Sequence, residues 1–104
     1  MYAIIRHYRA AAPVEELMHR VDTEFADRVP AEIGALLYQA IDTGGGTAMT
    51  VTLVADDQAA DRADAAAAQV RAGLADLDVE QLGVFRGEVM VSRAAERVLE
   101  PVHH

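Results

Sequence analysis

The sequence predicts a single α+β domain in which four strands and two helices alternate in the order βαββαβ, and three observations carry that expectation. Residues 2–8 and 83–93 form β-rich runs with side chains alternating at period two. Two further runs of that kind, within Ile33 to Ala55, flank Thr43-Gly44-Gly45-Gly46, and a Gly-rich break between such runs reads as a hairpin. On either side of the hairpin, apolar residues recur at helical spacing. The 104 residues have room for one core and too little mass to enclose a large ligand within one subunit. Residues 1–94 are taken as the domain and 95–104 as a charged tail that carries no site.

In the first strand Tyr2, Ile4, Arg6 and Tyr8 alternate with Ala3, Ile5 and His7. Pro13 then suits a first helical position, and Glu15 and Glu16 favour the positive end of a helix. Val14, Leu17, Met18, Val21 and Phe25 make one apolar stripe, and Pro30 is expected to end the helix. His19 lies off the stripe and is expected to face solvent. Asp56 or Asp57 caps the second helix, which runs from Asp57 to about Ala75 and places Ala60, Ala63, Ala67, Val70 and Leu74 near one face. So many alanines let a helix lie close to a sheet. A loop over Ala75 to Glu80 leads to the last strand, Gly83 to Arg93, with Val89 and Val91 on one side and Glu88, Met90 and Ser92 on the other.

Pairing Asp42 with Thr47 across the turn sets Ala40 by Met49, Tyr38 by Val51 and Leu36 by Leu53, an apolar face suited to the helices. The other face then carries Leu37, Gln39 and Ile41 against Thr52, Thr50 and Ala48. The element order matches the split βαβ arrangement of ferredoxin-like α+β domains. Right-handed crossovers put both helices on one face of a four-stranded antiparallel sheet and leave the other uncovered. With Leu37, Ile41, Val54, Ile4 and Met90 on it, that open face would expose more apolar surface than a monomer tolerates, and a homodimer formed through it is the expected remedy.

Seventeen acidic residues against nine basic ones, all arginine, leave a formal charge of -8. That balance lacks the basic footprint nucleic acid requires. Cysteine is absent, so thiolate chemistry and disulfides are excluded. No apolar run approaches the roughly 20 residues of a membrane span, and MYAIIRHYR lacks the order of a signal peptide. A cytoplasmic location, with no membrane or nucleic-acid partner, is the expectation.

The YAIIRHY opening strand, the hairpin YQAIDTGGGTAMTVTLVADD running into an acidic-capped alanine helix, and the closing GEVMVSR together resemble the dimeric α+β barrel superfamily, which includes the antibiotic-biosynthesis monooxygenases. The resemblance covers roughly Met1 to Ala94. It implies two sheets facing each other in a homodimer, with a pocket between each sheet and its helices. It also implies a cofactor-independent monooxygenase-like enzyme acting on a small aromatic or polyketide-like molecule. The alternative is a non-catalytic homodimeric module for small-ligand binding or assembly. The haem-degrading branch uses an Asn, Trp and His set, and this chain has neither Asn nor Trp.

Arg6, Tyr8, Gln39, Thr50, Thr52 and Glu88 are the candidate ligand-binding residues, since neighbouring strands project them onto the less apolar sheet face. A few convergent polar groups in an apolar recess orient a small hydrophobic or aromatic ligand; polar contacts across a dimer interface are the competing role. His7, the one histidine on a strand, is the candidate general base. Tyr38 reads as core. Asp56, Asp57, Asp61 and Asp64 read as capping and helix-dipole residues rather than metal ligands. No cofactor is implied. The three glycines lack the following helix and lysine of a phosphate loop and read as a turn.

Overall fold

In the computed structural model, which describes residues 1–104, β1 (Tyr2–Ala10) lies inside an antiparallel sheet between β3 (Thr47–Val54) and β4 (Val79–Glu88). β2 (Leu37–Gly44) pairs with the outer side of β3, giving the order β2-β3-β1-β4. All the helices lie on one face: α1 (Val14–Arg20), a π-helical turn (Val21–Phe25), α2 (Arg28–Ile33) and α3 (Asp57–Gly73). This is the ferredoxin-like α+β arrangement, reached by two crossovers, β1 to β2 and β3 to β4.

The first crossover is not one helix ended by Pro30. It breaks after Phe25 and restarts at Arg28, which makes Pro30 the third residue of α2. A first-turn residue has no intrahelical partner for its N–H, so proline costs little there. Gly34, at φ 71°, closes α2, and the Ala35 N–H donates to the Pro30 carbonyl at 2.8 Å. The left-handed value explains why glycine follows Ile33.

The hairpin register also differs from the sequence expectation. Gly44 pairs with Thr47 and Asp42 with Ala48, leaving Thr43 as an extra residue in a bulge. Gly45 and Gly46, at φ 62° and 78°, make a two-residue turn that requires two positive values. The Gly44 N–H donates to Asp42 Oδ1 at 2.9 Å, and the Thr47 hydroxyl donates to the Gly44 carbonyl at 2.6 Å, which fixes the bulge. One extra residue exchanges the two faces of a strand. Tyr38, Ala40, Thr50, Thr52 and Val54 therefore face the helices, while Leu37, Gln39, Ile41, Met49, Val51 and Leu53 face away.

The last strand begins and ends earlier than expected. A 3-10 turn (Ala75–Leu77) and Asp78 at φ 52° deliver the chain into β4 at Val79, and β4 stops at Glu88. Met90 and Val91 lie beyond it, each 81% exposed. Residues 95–104 contain a short 3-10 turn (Glu96–Leu99) and fold back on the helices. There the His104 N–H donates to Asp22 Oδ2 at 3.0 Å, and His103 Nδ1 lies 3.2 Å from Asp22 Oδ1. These contacts hold the Asp22 carboxyl below its usual range. His19 remains exposed, its Nδ1 3.2 Å from the His104 carbonyl oxygen.

Two apolar clusters form the core. In one, Ile4 and Val54 are sealed beneath Ile33 and Ala59, Ala60 and Ala63 of α3, and Asp56 caps that helix through a 2.8 Å bond from the Ala59 N–H. In the other, Ala10 and Ala48 lie under Leu17, Met18, Val21, Phe25, Leu74 and Leu77. Burying one such large side chain contributes about 1.5–3 kcal/mol. The clusters do not merge, because Arg6 and Thr52 are buried between them.

Candidate functional site

The rows that cross the sheet define its two faces. On the open side run Gly87–Ala3–Leu53–Leu37, Phe85–Ile5–Val51–Gln39 and Gly83–His7–Met49–Ile41. On the helix side run Arg86–Ile4–Thr52–Tyr38 and Val84–Arg6–Thr50–Ala40, and beyond a bulge between His7 and Tyr8 comes Gln81–Tyr8–Ala48–Asp42. The face under the helices is thus the more polar of the two. Ordinary amphipathic patterning would place it outward.

A cavity of about 70 Å³ occupies the space above these polar residues. Tyr8, Tyr38, Thr50 and Thr52 reach it from the sheet, Val21 and Phe25 from the π-helical turn, and Ala63, Ala67 and Val70 from α3. Two arginines, Arg6 and Arg71, line it as well. No carboxylate and no histidine does. Fifteen of the twenty lining residues are hydrophobic, so the few polar groups would set the orientation of a guest.

Arg6 is 5% exposed and donates through Nη2 to Asp64 Oδ1 on α3. Asp64 Oδ2 accepts a 3.0 Å bond from Arg86, which also holds Asp61 at 3.0 Å and Asp57 at 2.6 Å. Asp57 and Asp61 raise the already high pKa of Arg86. The spacing of 57, 61 and 64 puts them on one helix face, which is the signal that sequence reading left unused. Asp56 alone caps the helix, and these three clamp α3 to β4 and β1. Arg71 donates to the Gln81 side chain on β4.

Burial pushes the Tyr38 hydroxyl up to about 12, with Tyr8 adding to the rise and Arg6 opposing it. Tyr8 is also raised by burial, against the pull of Arg6 and Arg71 and of the Thr50 hydroxyl beside it. Both phenols are therefore protonated at neutral pH and available as hydrogen-bond donors. The cavity presents donors and cations, and none of its side chains accepts a proton near neutrality.

Of the six residues expected to bind ligand, Arg6, Tyr8, Thr50 and Thr52 meet at the cavity. Gln39 does not, because it stays on the open face, while the bulge turns Thr50 and Thr52 under the helices. Glu88 pairs with Tyr2 at the far end of the sheet, exposed and outside the cavity. His7 lies between Met49 and Gly83 on the open face, so the candidate base and the polar cluster are on opposite sides of β1. Tyr38 and Arg71 are the lining groups not expected to bind. Of the residues assigned to the open face, Leu37 and Ile41 are there, whereas Ile4 and Val54 are sealed beneath the helices.

The crystal structure of HapK from Hahella chejuensis matches this fold with a TM-score of 0.61, covering 91% of this chain and 98% of that one at 16% sequence identity. At that identity the likeness establishes the fold. No family model matches the chain, and no curated protein matches it in sequence. No helix is long and apolar enough to cross a membrane.

Proposed function

We propose that this protein binds a small molecule in the cavity between its sheet and helices, and pairs through its open sheet face as the antibiotic-biosynthesis-monooxygenase-like α+β barrels do. The inverted polarity of the sheet carries this reading. Arg6, Tyr8, Tyr38, Thr50 and Thr52 surround a cavity beneath the helices, while Ile5, Leu37, Ile41, Met49, Val51, Leu53 and Phe85 share the face without cover. Phe85, 66% exposed, lies in the middle row of that face. Apolar surface on that scale favours association.

The cavity's chemistry favours holding a guest over acid–base turnover, because its phenols and guanidiniums donate and its remaining side chains are apolar. At about 70 Å³ it has roughly half the volume of a cavity that admits benzene. A short chain or a single ring entering with small displacement fits that space better than a fused polyketide. A monooxygenase-like activity would have to rely on a substrate that ionises while the donors stabilise its anion. Oxygen uptake with quinol and aromatic substrates, set beside a Tyr8→Phe/Tyr38→Phe variant, separates the two readings. The binding reading expects ligand-induced spectral changes without oxygen uptake, and uptake lost in the double variant would replace it with the catalytic one.

A further inference from the structure

We infer that the guest of this cavity is a small organic carboxylate whose charged head sits at Arg6 and Arg71 and whose hydrocarbon part lies among the apolar wall residues. The inference rests on the ligand-binding reading above and narrows it to one chemical class. Its first support is the charge of the lining. The chain has seventeen acidic residues and nine basic ones, yet the cavity wall includes two of the nine and none of the seventeen. Such a reversal selects an anion by attraction and rejects competitors by leaving no acceptor for a cation.

The second support is the incomplete pairing of Arg6. A guanidinium carries five N–H donors, and Arg6 uses Nη2 alone, toward Asp64. No side-chain nitrogen or oxygen in the fold is both sealed and unpartnered, so the remaining donors of this 5%-exposed residue lie against the open space beside it. Asp64 offsets only part of the charge, because its second oxygen serves Arg86. A carboxylate offers the planar, two-oxygen acceptor that a guanidinium fork matches. The tyrosine hydroxyls, protonated at neutral pH, supply further donors. Inorganic phosphate fits less well, since most of the wall is hydrophobic and phosphate would leave those groups unmatched.

The experiment titrates the isotopically labelled full chain with butyrate, isovalerate and benzoate and, in parallel, with the amide of each, following backbone shifts around Tyr38, Thr50 and Thr52. Each acid that binds should do so about tenfold or more tightly than its amide, a difference of about 1.4 kcal/mol. Arg71→Gln, at a partly exposed position, should weaken the acid several-fold and leave the amide unchanged. Arg6→Gln should do the same wherever it folds. Amides binding as well as acids, shifts mapping away from the cavity, or acid affinity unmoved in Arg71→Gln would each overturn the carboxylate assignment; the first leaves the ligand-binding reading standing. Absence of any shift with all six compounds at millimolar concentration would overturn both.

Discussion

Asp64→Ala tests whether Arg6 is a buried cation that depends on one carboxylate. Removing one partner of a buried ion pair costs about 3–5 kcal/mol, because the charge left behind is desolvated and unpaired. Arg6 is 5% exposed, but the Asp64 side chain is 45% exposed, so water can reach part of the vacated space and the cost should fall to about 2–3 kcal/mol. Arg86 keeps Asp57 and Asp61, and its loss adds no more than about 0.5 kcal/mol, as for other exposed pairs. For a chain of this length the sum lowers Tm by roughly 10 °C. Arg6→Met/Asp64→Ala removes both charges beside an apolar cavity and should recover most of the loss. Urea unfolding followed by circular dichroism, with an unchanged m-value, measures each step. Asp64→Ala within about 1 kcal/mol of the parent, or a double variant no more stable than the single, would refute the reasoning.

Three other outcomes follow from the same geometry. Light scattering at micromolar concentration should give twice the monomer mass, and Leu37→Glu or Ile41→Glu should halve it by placing an unpaired charge in the interface; a monomeric parent or a dimeric variant would remove the open face from consideration. Tyr38 holds its proton more tightly folded than unfolded, so its contribution to stability is complete below about pH 10 and is lost as pH rises toward 12, by roughly 2–3 kcal/mol. Tyr38→Phe should abolish that loss and remove the latest-titrating phenolate from the absorbance curve, and a curve that keeps its late step would contradict the burial argument. Gly73→Ala replaces the last residue of α3, and the new Cβ would stand 3.1 Å from Phe25 Cζ; since Phe25 borders the cavity and has room to yield, a gain of up to about 0.5 kcal/mol is expected, and a loss would mean that the ring is immobile.

Strand order, helix placement and the Asp56 cap were legible because each rests on local pattern: period-two runs, an apolar helical stripe and an acidic N-terminus. The faces of the hairpin were not, since a single extra residue decides them. Counting outward from the three glycines places Asp42 against Thr47, whereas the Asx contact from Asp42 to the Gly44 N–H inserts a bulge and moves every later pair by one. Apolarity could not correct the count, because Met49, Val51 and Leu53 look like core residues and here occupy the open face. Arg6, Tyr8, Thr50 and Thr52 were chosen as polar groups on neighbouring strands, and that property survives a change of register. Gln39 was chosen in the same way but sits on β2, whose residues keep the faces expected for them, whereas the bulge turned Thr50 and Thr52 of β3 under the helices. Arg71 was hidden on an alanine-rich helix, where an arginine ordinarily faces water.

The polar belt beneath the helices has a purely structural alternative, that it merely satisfies itself inside the core. Against that stands its energetics. Replacing a buried ion pair with well-packed apolar residues is often neutral or stabilising by about 1–4 kcal/mol, and this belt splits the core into two clusters. A belt built only for stability would close on itself, with Arg6 bonded on several sides and the neighbouring volume filled. Instead Arg6 has a single protein partner, two tyrosines border the same space, and about 70 Å³ remains open beside them. An arrangement that forgoes packing and leaves guanidinium donors facing an open space becomes more favourable once an acceptor occupies that space, and a binding site accounts for that combination where core satisfaction does not.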